Sequence, residues 1–137
     1  MKKTLILGID NPHSSDPSDA LRAERPGSTG RRLQELTGMS VEGYYEAFDR
    51  ANAVDLRVRR DAVLGGRTVV VLGKQAWRVL GLSEAPFFTE RRSDVLDSTF
   101  VLIPHPSGLC RLYNEQAVRD RVASLLRRKS AVNRSKR

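Results

Sequence analysis

Three short apolar runs, each closed by glycine or proline, constrain this chain more than any other feature. They are Thr4-Leu5-Ile6-Leu7-Gly8, Arg67-Thr68-Val69-Val70-Val71-Leu72-Gly73 and Ser98-Thr99-Phe100-Val101-Leu102-Ile103-Pro104. None alternates polar with apolar residues through its centre. A strand reads this way when both of its faces are covered, which is the environment of a parallel strand beneath helices. A weaker fourth candidate, Ala51-Asn52-Ala53-Val54, follows a helical stretch and is either a short strand or the end of that helix.

Helical signals lie between the runs. Ser28-Thr29-Gly30 offers N-cap chemistry to Arg31 through Thr37, which Gly38 stops. Ser40 opens a second helix, roughly Val41 to Phe48, and a third from about Lys74 to Leu80 closes at Gly81. The last spans about Asn114 through Leu126, with Val118, Val122, Leu125 and Leu126 at helical spacing. Strands alternating with helices predict one α/β domain: a three-layer α/β/α sandwich around a central, mostly parallel four-stranded sheet with right-handed crossovers. Residues 11 to 30, rich in Ser, Pro, Asp and Gly, read as a long surface loop, and loops of that length inside a compact domain are usually functional.

Composition sets the limits. A length of 137 residues, 39% hydrophobic and 29% charged, is enough for one globular core and too little for two. No apolar run approaches the ~18 residues of a membrane span, and the apolar start is too short for a signal peptide, so a cytoplasmic protein is expected. The single cysteine, Cys110, has no disulfide partner within the chain. No Cys/His cluster has metal-ligand spacing, so no cofactor or metal is expected. The net charge of +8 is unevenly held: residues 127–137 carry six Lys/Arg and no acid, leaving +2 for residues 1–126. That division predicts a domain over 1–126 and a flexible basic tail over 127–137, which is either a solubilising end or a sequence-independent attractor of phosphate.

The polar residues gather where the strands end. Asp10, Asn11 and His13 follow the first run, Asn52 sits in the short one, Lys74 and Gln75 follow the next, and His105 and Ser107 follow the last. In a parallel sheet these positions share the carboxyl edge, where ligands bind. A carboxylate, amides and a histidine converging there suit acid–base or hydrolytic chemistry.

These residues carry a resemblance. His105-Pro106-Ser107-Gly108-Leu109 after a strand resembles the second signature of the uracil-DNA glycosylase superfamily, and Gly8-Ile9-Asp10-Asn11-Pro12-His13 resembles the first. Val70-Val71-Leu72-Gly73-Lys74-Gln75-Ala76 with Leu80-Gly81 is similar to the family's third strand and helix. Pro26-Gly27-Ser28-Thr29-Gly30-Arg31-Arg32-Leu33 is similar to its first helix entry. The four stretches occur in the family's order across roughly residues 4 to 126.

The resemblance implies a metal-free, monofunctional DNA glycosylase, monomeric, acting on single- or double-stranded DNA that contains uracil or a modified base. Asp10 would orient or deprotonate water and stabilise the positive sugar. His105 would hydrogen-bond the base oxygen as negative charge develops, a role worth ~3–4 kcal/mol in comparable sites. Asn52 would read the pyrimidine edge, and His13 is placed with it on the base-binding side, against a structural role or a phosphate contact. Ser107 and the Gly108 amide would hold a phosphate, Leu109 would fill the gap left by the flipped nucleotide, and Arg111 would touch DNA beside it.

Two departures from the family pattern bear on this. Asn11 intervenes between Asp10 and Pro12, so counting back from the proline makes Asn11 catalytic, whereas counting from Gly8 selects Asp10, the better base. Residues 14 to 30 also contain no aromatic side chain to stack on the base, a contact worth ~1–3 kcal/mol, which opens the target to bulkier modified pyrimidines. A catalytically silent DNA-binding module of the same fold is the alternative. A metal-dependent phosphohydrolase is a third reading, for which the sheet edge lacks the carboxylates.

Overall fold

A computed structural model describes residues 2–10, 16–56, 60–106 and 111–135. Its sheet has five strands in the order β2-β1-β3-β5-β4: β1 (Thr4–Gly8), β2 (Phe48–Asn52), β3 (Thr68–Leu72), β4 (Glu90–Ser93) and β5 (Ser98–Ile103). The first three and β5 run parallel, while β4 pairs antiparallel with β5. The mostly parallel α/β architecture is as expected, but the count of four strands is corrected to five. Glu90-Arg91-Arg92-Ser93 has no apolar run to betray it. As an edge strand it needs few buried side chains, and its charges discourage pairing with another chain.

The central strands are apolar throughout because both of their faces are covered. Leu5, Leu7, Val69, Val71, Phe100 and Leu102 face one layer, which includes Leu64 of α3 (Arg60–Leu64) and Ala76 and Trp77 of α4 (Gly73–Val79). Ile6, Val70, Leu72, Val101 and Ile103 face the other. That layer contains Leu33 of α1 (Thr29–Thr37), Tyr44 of α2 (Val41–Ala47) and Val122, Leu125 and Leu126 of α5 (Gln116–Ser135). Burying one such side chain contributes ~1.5–3 kcal/mol, so these two interfaces dominate the stability of the fold. Local chemistry sets the helix starts: Ser28 caps α1 by accepting from the Arg31 amide at 3.2 Å, and Ser40 caps α2 through the Gly43 amide at 3.0 Å.

The last helix does not stop at Leu126, where the basic segment was expected to begin. It runs on to Ser135. Arg127 Nε donates to the Thr37 carbonyl at 3.0 Å, Thr4 Oγ1 donates to the Lys129 carbonyl at 3.4 Å, and Ser130 is buried. Periodicity hid this because Arg127 and Arg128, which open the extension, are both exposed. Asn114, expected at the start of this helix, instead ends a 3₁₀ turn over Arg111–Asn114, and the helix begins at Gln116.

Entry to β4 is made by a bulge. Phe88 donates its amide to the Leu102 carbonyl at 2.6 Å, while Leu102 donates to the Thr89 carbonyl at 3.0 Å, so two residues oppose one. Phe88 has φ +72, and the Thr89 amide closes the turn on the Pro86 carbonyl. This is a G1-type bulge fused to a β-turn, with phenylalanine where glycine is usual. No helix among the described residues is long and apolar enough to cross a membrane.

Candidate functional site

The chain passes from β1 outward to β2, then back across β1 to β3. The reversal makes the space beyond the carboxyl ends of β1 and β3 a topological switch point, where open α/β sheets bind ligands. The registers align this edge: Gly8 pairs with Asn52, Leu7 with Val71, and Leu72 with Ile103. Asp10 and His105 each stand two residues past that row, on strands separated only by β3. Two inter-strand spacings separate the β1 and β5 ends of that row by on the order of 10 Å.

Asp10 is exposed at this edge. His105 is half-buried, and desolvation holds its imidazole below the usual histidine pKa of 6.5, favouring the neutral ring. A neutral imidazole is a hydrogen-bond donor that brings no charge to the ground state. Its place is set by Gly73, which opens α4 at φ +85 and whose absent Cβ would meet the His105 Cβ at 3.1 Å. Any L side chain there would carry backbone strain and push His105 aside. From the opposite side, Tyr113 Oη donates to the Pro104 carbonyl and braces the segment that carries the histidine.

Asn52, the last residue of β2, is only 3% exposed, and its Oδ1 has no hydrogen-bond partner. An unpaired buried acceptor costs ~1–3 kcal/mol, and such a group in a folded protein calls for an explanation. Its neighbour across the register is Gly8, where a Cβ would come within 3.0 Å of that oxygen. Glycine at position 8 therefore leaves the amide in place.

The other expected positions divide in two. Asn11, His13, Ser107, Gly108 and Leu109 lie outside the described residues. Arg111 is exposed at the start of its 3₁₀ turn. Lys74, expected near the start of a helix, places its ammonium 5.0 Å from the centre of the Phe87 ring.

Sequence reasoning overlooked the device that holds the loop before α1 in place. The Arg50 and Arg22 guanidiniums both lie over the Tyr45 ring, at 4.4 and 5.1 Å from its centre. Its hydroxyl accepts from the Ala23 amide at 2.7 Å and donates to Glu24. Hydrogen bonds from Arg22 and then Tyr45 pull the pKa of the Glu24 carboxyl down to about 2. The buried Tyr44 hydroxyl donates to the Leu21 carbonyl at 3.0 Å, and Leu21 in turn flanks Gly8. Adjacent tyrosines on a short helix were the available signal, but nothing local said what they would grip.

Comparison of the chain with protein-family models and with curated proteins returns no match.

Proposed function

We propose that this chain is a DNA glycosylase that hydrolyses the N-glycosidic bond of a flipped-out uracil or modified pyrimidine, leaving an abasic site. The observation that carries the reading is Asn52: a buried amide oxygen without a partner, at the carboxyl end of a strand beside the switch point. A pyrimidine edge offers an N–H that such an oxygen accepts, which would offset the desolvation already incurred.

The roles follow from charge. As the bond to the base breaks, the sugar gains positive character and the base negative. Asp10, exposed to solvent, orients the attacking water and stabilises the sugar, with Asn11 the alternative for that task. His105, neutral through burial, donates to the base oxygen. Ser107, Gly108, Leu109 and Arg111 take the DNA backbone and the vacated stack, and His13 joins Asn52 at the base. A cytoplasmic monomer belongs to the same proposal.

The test is incubation with DNAs carrying uracil or modified pyrimidines, followed by alkali and mass spectrometry of released bases. Strand breaks that disappear in Asp10→Ala and His105→Ala are expected. Tight DNA binding with no released base from any substrate would replace this reading with the catalytically silent module.

A further inference from the structure

Next to the His105 segment, on the opposite side from Gly73, lies a cleft of about 280 Å³ between α1 and α5. Arg32, Glu35 and Leu36 line it from α1, Pro106 and Tyr113 from the two flanks of the segment after β5, and Arg119 from α5. We infer that this cleft seats one nucleotide of the DNA strand beside the extruded one, with its phosphate between Arg32 and Arg119 and its base or sugar against Leu36, Pro106 and Tyr113. The inference rests on the reading of the chain as a DNA-acting protein.

Charge and continuity argue for that occupant. The two arginines come from different helices and line one space. Arg119 is held by bonds to the Tyr113 carbonyl at 2.6 Å and to Gln116 Oε1 at 2.7 Å, and Arg32 by one to the Gly27 carbonyl at 3.4 Å. A guanidinium has five N–H donors in a fork that matches phosphate. The one acid in the lining, Glu35, leans toward Arg31 at 3.8 Å, which reduces its repulsion of an anion. Leucine, proline and a tyrosine ring on the remaining wall suit the face of a base. The volume is near the lower limit of small-ligand sites, ~300 Å³, which fits a single nucleotide unit and not a helix of a partner protein. Pro106 directly follows His105, so a strand leaving the carboxyl edge meets this cleft next.

The experiment measures binding of a short, unmodified single-stranded oligonucleotide across a salt series, in parallel with thymidine 5′-monophosphate. The proteins are the wild type, Arg32→Ala and Glu35→Lys. Both substituted side chains are exposed, so thermal melts should be unchanged. Arg32→Ala should weaken oligonucleotide binding several-fold and lower the salt slope by about one, while Glu35→Lys should strengthen binding. Unchanged affinity and slope in both variants would overturn the assignment, as would changes confined to the mononucleotide, which would make the cleft a free-nucleotide site. Excision assayed on the same proteins separates the two readings. Binding changes without any excision by the wild type would remove the glycosylase and leave the cleft standing. Excision with unaltered binding would do the reverse.

Discussion

Gly8 and Asn52 are register partners in the last paired row of β1 and β2, and a side chain on the first would stand 3.0 Å from the amide oxygen of the second. The smallness of one residue thus preserves an unpaired buried acceptor on the other. Asn52→Leu, which removes the orphaned oxygen while keeping the volume, should raise unfolding stability by about 1 kcal/mol and abolish excision. Gly8→Ala should keep the fold but lower excision about ten- to a hundredfold, the scale of effect of a small misplacement at a reacting centre. Urea unfolding and single-turnover excision check both, and a destabilised Asn52→Leu would show that the oxygen has a partner.

His105 carries a pH signature. Its folded pKa lies below the ordinary 6.5, so in the interval between the two values the unfolded chain binds more protons than the folded one. Stability is therefore full above pH ~6.5 and falls as the pH drops toward the depressed value. His105→Gln, which keeps a donor but does not titrate, should flatten this part of the stability–pH curve. Urea midpoints between pH 5 and 8 measure it, and a wild-type curve already flat there would reject the buried neutral imidazole.

The bulge at Phe88 predicts an inverted ranking of two small residues. At ordinary strand positions glycine is worse than alanine by ~0.5–1 kcal/mol. At φ +72 alanine carries the left-handed strain that glycine avoids, a difference of ~1–2 kcal/mol. Both truncations forfeit the ring that Arg121 covers at 3.9 Å, so their difference isolates the backbone. Phe88→Gly should be the more stable of the two by about 1 kcal/mol, and the opposite order in thermal melts would count against the bulge.

Truncations should separate the structural part of the basic end from the rest. Ending the chain after Leu126 removes Arg127 from Thr37 and Lys129 from Thr4 and Glu90, and should cost about 2 kcal/mol at ~0.5–1.5 kcal/mol per bond. Ending it after Ser130 retains those contacts, and should leave the melting temperature almost unchanged. It also removes Arg134, Lys136 and Arg137, which should flatten the salt dependence of DNA binding. Equal melting temperatures for the two truncations would mean that the helix ends no later than Leu126.

How far the sequence could be read depends on where its information is local. β1, β3 and β5 were legible because burial on both faces demands unbroken apolar runs. α1 and α2 were legible because Ser28 and Ser40 cap within three residues of themselves. β4 was not, since an edge strand of Glu, Arg, Arg and Ser is defined by the hydrogen bonds of its neighbour and not by its own side chains. The extension of α5 was missed for a related reason: Arg127 and Lys129 look like solvated charge until Thr37 and Glu90 are brought beside them.

For the site, residue types and order along the chain were enough to nominate Asp10, Asn52 and His105 at one sheet edge, because parallel strands all deliver their succeeding residues to the same side. The amino acids alone determined the alternation of buried strands and capped helices, and therefore which residues come after each strand. Only the tertiary structure decided the strand order, the isolation of the Asn52 oxygen against Gly8, the contact of Gly73 with His105 and the placing of Arg32 and Arg119 around one cleft. Those contacts join residues tens of positions apart, and their energies depend on distances and solvent exclusion that come into being only when the two helical layers close on the sheet.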